Sequence, residues 1–538
     1  LKNIAFIFCL ILAHFVNAQV QWAKQIGSSS LYDIENAQII SDGVNIYMIG
    51  SFEGSLFLPN DTLYANGSED IFIAKFDANG SNLWSKNIGG NANTTMDYES
   101  ANGVYDPVNH CIYLSGHFVN NFYFPGVGYI TGNSDIFLAK MDLDGNFIWA
   151  KKAGGNGHDG AQVYVNPFGK IYLVTRSTDS AYFDNFHIGS GGAIVTFDDL
   201  GVCLSAEVKY NTNIFSEFNS VRLNFIEKDL IFYGTFITST FTLDTTLTNS
   251  LGDKDAFIAR ADSTGKVKWL KRFQSEGRES INKVCINSNF DIAFLGDISD
   301  TLDILGINIP IAGYDILVAT IDQNGNLKWI KKMNINSNTL VVGLDVKLTT
   351  SNNVVVSGFF NSICNFESTQ IISNTVKDMF VVKFDTTGAY LSHFNFGIAT
   401  GGSLYVDNSN NLYVCGNFSN TVNIGNNNFT VYGGNSDIYL AKFNASLGNN
   451  TRTAPNNTLI IYANPNKGTC NITIPDDLKS SPNLTLMIYN AQGSLIQKQQ
   501  IQQLQDKVKL SLDAEAKGMY NVTLSDGYKI YYGKIVFE

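Results

Sequence analysis

The chain has 538 residues, too many for one hydrophobic core, so it holds either several domains or one closed repeat array. Hydrophobic residues make up 44% and aromatics 12%, with Phe, Tyr and Gly abundant and Pro scarce; this excludes global disorder and reads as all-β. The formal net charge of −12, with no run rich in Lys or Arg, argues against nucleic acid and anionic membrane surfaces as partners.

From the N-terminus, Lys2 supplies a positive start, residues 4–15 are apolar apart from His14, and Val16, Asn17 and Ala18 bring small side chains to a cleavage point. Residues 1–18 therefore read as a secretory signal, cut between Ala18 and Gln19. Beyond it no apolar run reaches the roughly 18 residues that span a bilayer, so no transmembrane segment is expected. Once Cys9 leaves with the signal, Cys111, Cys203, Cys285, Cys364, Cys415 and Cys470 remain. None forms a CxxC pair, and their apolar strand contexts predict buried free thiols for most, although sequence fixes no pairing.

The body from 19 to 444 is a repeat. One signature starts at Asp70, alternates apolar residues as far as Asp77, turns at Gly80 and ends at Trp84; the next copy uses Asp135, Asp142, Gly145 and Trp149. Copies starting at Asp255, Asp315 and Asp378 turn at Gly265, Gly325 and Gly388, closing with Trp269, Trp329 and, in the Trp place of the third, Ser392. A worn copy keeps Asp198 and Gly201 between Gly191 and Ser205, and a last one starts at Asp437 and stops after Asn444. A second, Tyr-rich signature precedes each at Gly50, Gly116, Thr175, Gly234, Gly296, Gly358 and Gly416. Both landmarks count seven.

Each unit reads as four strands, with the Asp-x-x-Gly step as a tight hairpin: Asp accepts backbone amides and Gly takes the left-handed conformation. Four-stranded sheets repeated radially define a β-propeller. Trp22 lies in a Trp strand with no partner before it, and the seventh unit lacks a Trp strand after it. Moving the N-terminal strand onto the last unit gives seven four-stranded blades and removes two open sheet edges. The recurring Asp and Trp positions are expected to serve the scaffold, and the doublets Gly89-Gly90 and Gly154-Gly155 are expected to be blade turns. The Asp–Trp pattern resembles the SBBP family of bacterial β-propeller repeats, which implies architecture and an extracytoplasmic setting and no catalytic residue.

Residues 445–457 are polar and read as a linker. From 458 to 538 a different pattern runs through Tyr462, Asn464, Pro465 and Gly468, a strand and turn ending at Gly493, and a Gly518-x-Tyr520 step, predicting a small Ig-like β-sandwich. These landmarks resemble the type A C-terminal sorting domain of type IX secretion, with Ala463 where the family usually carries Pro. The resemblance implies the type IX machinery as a partner, passage through the periplasm, and release or anchoring at the outer-membrane surface of a diderm bacterium.

No constellation for chemistry stands out. His110, His117, His158, His187 and His393 are not spaced as metal pairs, and no nucleophile elbow or phosphate loop is present. The Asp142 to Asn146 turn is read as a hairpin rather than a calcium loop, so neither metal nor cofactor is expected. Function in such a scaffold belongs to unrepeated loops, of which 91–99 and 175–182 diverge most. The triplets at Asp61-Thr62-Leu63 and Asp300-Thr301-Leu302 resemble O-glycosylation sites of this bacterial group. The expectation is a secreted or surface protein that binds an extracellular protein or glycan, more in the manner of an adhesin or scaffold than of an enzyme. The alternative is a glycosidase or lyase using paired carboxylates at the channel mouth.

Overall fold

The computed structural model describes residues 20–28, 35–67, 69–90, 100–155, 159–177, 180–189, 191–210, 221–236, 241–243, 246–248, 254–299, 302–304, 307–309, 315–335, 341–361, 363–366, 369–373, 375, 377–397, 402–444, 459–475, 478–479, 484–490, 495–501, 506–512, 515–525 and 530–538. The signal at 1–18 with its cleavage residues Ala18 and Gln19, the linker at 445–457 and the loop at 91–99 lie outside them. The chain divides into two compact units, Leu1–Asn449 and Asn450–Glu538. Among the described residues both are built from strands, with no α-helix.

The first unit repeats one antiparallel meander. Its first copy pairs Glu35–Ser41, Ile46–Phe52, Asp70–Phe76 and Asn82–Gly90 in that order. Five more follow, opening at Ser100–Asp106, Asp159–Val165, Val221–Ile226, Glu279–Ile286 and Val341–Leu348. A seventh joins Leu404–Val406, Leu412–Phe418 and Asp437–Phe443 to Val20–Ser28, with Ile26 opposite Ile438 and Ala23 opposite Ala441. Each sheet is open, with two ends. The two central strands of a meander, such as Ile46–Phe52 and Asp70–Phe76, are buried along their whole length. Apolar side chains on both faces therefore meet a neighbouring meander, which is why these strands read as continuous apolar runs.

One contact recurs between neighbours. The indole of each fourth-strand Trp donates to the carbonyl just after the Asp of the next meander's turn. Trp84 Nε1 reaches Leu143 O at 3.3 Å, Trp149 reaches Asp199 O at 3.1 Å, Trp269 reaches Gln323 O at 3.1 Å and Trp329 reaches Thr386 O at 3.1 Å. Trp22, in the seventh meander, makes the same bond to Ala78 O of the first at 2.9 Å. In each turn the Asp carboxylate accepts two amides, as Asp77 does from Asn79 and Ser81 at 2.8 Å. The Gly has positive φ, 78° at Gly80 and 81° at Gly388. It also has no room for a side chain, because a Cβ at Gly388 would come within 2.7 Å of the Trp329 ring. Left-handed geometry and close approach thus demand glycine at the same atom.

Ser392 replaces Trp in the sixth meander for a reason visible here. The seventh meander takes its fourth strand from the far end of the chain, so its third and fourth strands are not consecutive and share no hairpin turn for an indole to cap.

A second contact links the first strands. Gln38, Asn102, Arg222 and Asp345 all sit opposite the residue before the recurring Gly. Gln38 exchanges bonds with the Gly103 backbone at 3.0 and 3.1 Å, and Asn102 holds Ala161 O at 3.2 Å and Val163 N at 3.1 Å. Arg222 donates to Asn282 O, and Asp345 accepts from Leu404 N at 2.9 Å.

Sequence reading expected four strands per unit and missed a hairpin between the second and third. Ser55–Leu58 with Asp61–Tyr64 is one example and Ala181–Phe183 with Phe186–Ile188 another. Among the described residues the hairpins of the first six meanders latch onto the fourth strand of the preceding meander, as Gly27 pairs Phe57, Gly89 pairs Tyr123 and Gly154 pairs Tyr182, whereas that of the seventh, Thr421–Ile424 with Asn427–Thr430, stands as a separate two-stranded sheet. This corrects the expectation for the glycine doublets. Gly89-Gly90 and Gly154-Gly155 are strand, not turn. At Gly89 a Cβ would overlap the Asp70 carboxylate, which is fully buried and bonded to Asn87 Nδ2 at 2.6 Å.

The second unit packs a three-stranded sheet (Ile461–Tyr462, Thr469–Thr473, Lys507–Ser511) and a four-stranded sheet (Leu495–Ile501, Leu484–Tyr489, Gly518–Ser525, Ile530–Phe537) around one core that includes Ile472, Leu486, Leu510, Val522 and Ile535. The six cysteines from Cys111 to Cys470 are free.

Gly89→Ala is expected to lower stability by about 1–3 kcal/mol through overpacking against Asp70. Gly189→Ala, where nothing lies within 4 Å, should stay within about 0.5 kcal/mol of wild type. Thermal unfolding of the two variants side by side checks both.

Candidate functional site

The sequence-predicted residues of the tail converge on its last strand. Asn464 grips it with both ends of its amide: Nδ2 donates to Lys534 O at 2.6 Å, and Oδ1 accepts from Val536 N at 2.8 Å. Two residues on, the Asn466 backbone amide donates to Val536 O at 2.9 Å and its Nδ2 to the same oxygen at 3.1 Å, while Glu538 N returns a bond to Asn466 O at 2.9 Å. Pro465 stands between these two clamps. Gly468, at φ 113°, turns the chain into Thr469–Thr473, its amide held by Asn466 Oδ1 at 2.9 Å. Tyr462 is partly exposed, with the Lys507 ammonium 5.3 Å from its ring centre. Gly518 and Tyr520 lie on the strand paired with the last one, opposite Phe537 and Ile535. Tyr520 is buried and sends its hydroxyl to Ala516 O. Gly493 lies outside the described residues. Asn466 is the member that motif reading missed, although its short polar side chain beside Pro465 and Gly468 has the composition of a turn anchor.

On the first unit, the latch hairpins carry a row of exposed aromatics. Tyr64 (67% exposed) lies on the hairpin of the first meander, Tyr123 and Tyr129 on the second, and Tyr182 and Phe186 on the third. Tyr432 (59%) follows the hairpin of the seventh and meets Phe57 of the first at 5.4 Å between ring centres. Tyr123 and Tyr129 pack at 5.0 Å, and Tyr182 lies 4.8 Å from the His187 ring. The row thus spans four successive meanders, the seventh to the third. Of the two divergent segments, 175–182 contributes Tyr182.

The shifted carboxylates lie elsewhere. Burial pushes Asp70 up to about 6, against the bonds it receives from Asn87 and the 66–67 segment. Glu279 is pushed up to about 7, by burial first and then by the neighbouring Asp255 carboxylate, while Ser275 bonds oppose the shift. Asp70 and Asp255 are fully buried and Glu279 is 1% exposed, so these groups face the scaffold rather than a substrate. Lys283 stands at the register position of Gln38 and Asp345. Poor hydration brings it down to about 8, with Asp345 opposing and Arg222 and Lys347 adding to the shift. Asp142 spends its oxygens on Asp144 N, Asn146 N and Asn146 Nδ2 at 2.8–2.9 Å. Among the described residues no three His, Cys, Asp or Glu side chains gather as a metal cage.

Residues 460–538 match the family described as secretion system C-terminal sorting domain. The chain therefore carries a type IX sorting tail, which indicates export to the cell surface or the extracellular space. No helix among the described residues is long and apolar enough to cross a membrane. None of the curated proteins matches the sequence. Among solved structures, the Dos1 propeller is similar over 81% of this chain and 96% of that one, at 9% identity and a TM-score of 0.40. Domains 4–9 of the surface layer protein SbsC align over 97% of this chain and 99% of that one, at 8% identity and a TM-score of 0.11.

Asn464→Ala leaves the Val536 amide without its acceptor, so exchange of that amide with deuterium should accelerate by about tenfold or more. Glu279 contributes a pH dependence: its folded value lies above the unfolded one, so its contribution is complete below pH 4.5 and lost as pH rises through about 7. Glu279→Gln should therefore flatten the fall in melting temperature between pH 5 and pH 7.5 in a pH-stepped thermal series.

Proposed function

We propose that this chain is an exported seven-bladed β-propeller of the SBBP repeat type, closed by its own N-terminal strand, and that it works as a binding or scaffold protein at the bacterial surface. Closure is supported by the pairing of Val20–Ser28 with Asp437–Phe443, and by Trp22 and Lys442 both reaching Ala78 O of the first meander. The signal at 1–18 and the residues of the tail, Tyr462, Asn464, Pro465, Gly468, Gly493, Gly518 and Tyr520, belong to its export. Asn464 acts there by pinning the last strand, the edge of the four-stranded sheet.

The observation that carries the binding role is the aromatic row. The repeated Trp and Lys side chains are consumed in joining one meander to the next and the repeated Asp in bonds within its own, whereas Tyr64, Tyr129 and Tyr182 serve no such joint and stand well out of the surface. Tyrosine offers a large rigid face with a polar tip at small entropic cost, the side chain that dominates recognition of proteins and of sugar rings. The ligand is an extracellular protein or glycan.

Two experiments with the full chain test this. Deleting residues 459–538 should leave the protein in the periplasm, and its undiminished appearance outside the cell would overturn the export reading. Replacing Tyr64, Tyr129 and Tyr182 together by Ala should abolish capture on a glycan array or by surface extracts, with the melting temperature unchanged. Capture that survives the threefold substitution would overturn the binding surface.

A further inference from the structure

In four meanders the turn carbonyl that caps the Trp indole also receives a cation from the third strand of the preceding meander. Lys75 Nζ reaches Leu143 O at 2.8 Å, Lys140 Nζ reaches Asp199 O at 3.1 Å, Arg260 Nη1 reaches Gln323 O at 2.9 Å and Lys442 Nζ reaches Ala78 O at 3.3 Å. The third and fifth meanders carry Thr at that register position. In the third, Trp is lost as well, and Thr196 Oγ1 bonds Ser205 Oγ at 2.7 Å, so the exchange is internally complete. The fifth is different. It keeps Trp329 on Thr386 O, while Thr320 Oγ1 is buried and has no hydrogen-bond partner among the described residues.

Beside that hydroxyl lies a cavity of about 230 Å³, lined by Asn287, Asp291, Thr320, Lys328, Trp329 and Asn352 among others. Its nearest counterpart is the fourth meander. Across the seven meanders the residue at this point of the second strand is Asn45, Cys111, Lys170, Asp229, Asp291, Asn353 or Asn411, so only the fourth and fifth place a carboxylate there. The same two alone carry Lys immediately before the Trp position, Lys268 and Lys328. In the fourth, Asp229 Oδ2 binds Arg260 Nε at 2.6 Å and Lys268 Nζ at 2.7 Å, so one carboxylate joins two cations. In the fifth, Asp291 Oδ2 keeps Lys328 Nζ at 2.6 Å and takes Asn287 Nδ2 at 3.1 Å, and the guanidinium's place is empty space.

We propose that this cavity is a binding site for a guanidinium group, carried by an arginine-like ligand, which enters where the fourth meander holds Arg260. The acceptors are those Arg260 uses: the second-strand carboxylate, here Asp291, and the turn carbonyl, here Thr386 O, which receives only the Trp329 indole among the described residues. The Thr320 hydroxyl adds an acceptor of its own. The site's charge favours the same choice: with Lys328 and Asp291 in balance, one added cation reproduces the state of the fourth meander, and the chain's net charge of −12 draws cations from a distance. A planar five-donor head suits acceptors set at fixed angles better than an ammonium does.

N-ethylguanidinium titrated into the full-length protein by calorimetry or saturation-transfer NMR should bind at millimolar concentration, whereas ethylurea, of the same shape and uncharged, should not. Thr320→Arg supplies the group from within, so it should weaken binding by about tenfold or more and raise the melting temperature. Thr320→Lys, the residue of four sister meanders, should likewise block the site and serves if the arginine variant fails to fold. Equal binding of ethylurea, absence of N-ethylguanidinium binding, or binding that persists in a folded Thr320→Arg or Thr320→Lys protein would each overturn the proposal.

Discussion

The indole hydrogen bond to a neighbour's turn is the contact on which the first unit depends. A β-meander of four strands cannot hide both of its faces by itself, and the central strands here are apolar on both. The Trp-to-carbonyl bond fixes how one meander addresses the next, and the left-handed glycine beneath the ring sets the distance. Each bond is modest, about 1 kcal/mol net. Repeated from meander to meander, with a cation on the same carbonyl in four cases, it makes register a property of the whole array rather than of any one sheet.

This logic explains what could be read from the residues alone. Trp84, Trp149, Trp269 and Trp329 recur with their Asp and Gly partners because they answer the same steric demand each time, and recurrence is what makes a pattern visible. Trp22 without a preceding partner pointed to a strand that pairs elsewhere, and it does. The latch hairpins were not visible. Segments such as Ala181–Phe183 or Phe241–Leu243 are three residues long, too brief for period-two alternation to register. The glycine doublets were misread for a related reason: glycine usually marks a turn, but here it clears space for a buried carboxylate inside a strand.

Functional residues were less legible still. The tail motif was readable because Asn464, Pro465 and Gly468 are constrained by local turn geometry. The aromatic row was not, since Tyr64, Tyr129, Tyr182 and Tyr432 share no spacing and sit on or beside hairpins that the sequence did not reveal. The Thr320 cavity is a harder case: a missing lysine carries meaning only after the register of every meander is known.

The pairing of Val20–Ser28 with Asp437–Phe443 bears on how the chain folds. Gln25 donates to Asp437 at 2.6 Å across a sequence separation of 412 residues, so this strand must wait for a partner made long after it. Six meanders can form from local contacts while that strand stays unpaired, and the final pairing incurs nearly the full loop-closure entropy of the chain. Until then the exposed strand is an opening for other chains, and a carrier that holds the polypeptide during transit would protect that one segment above all others.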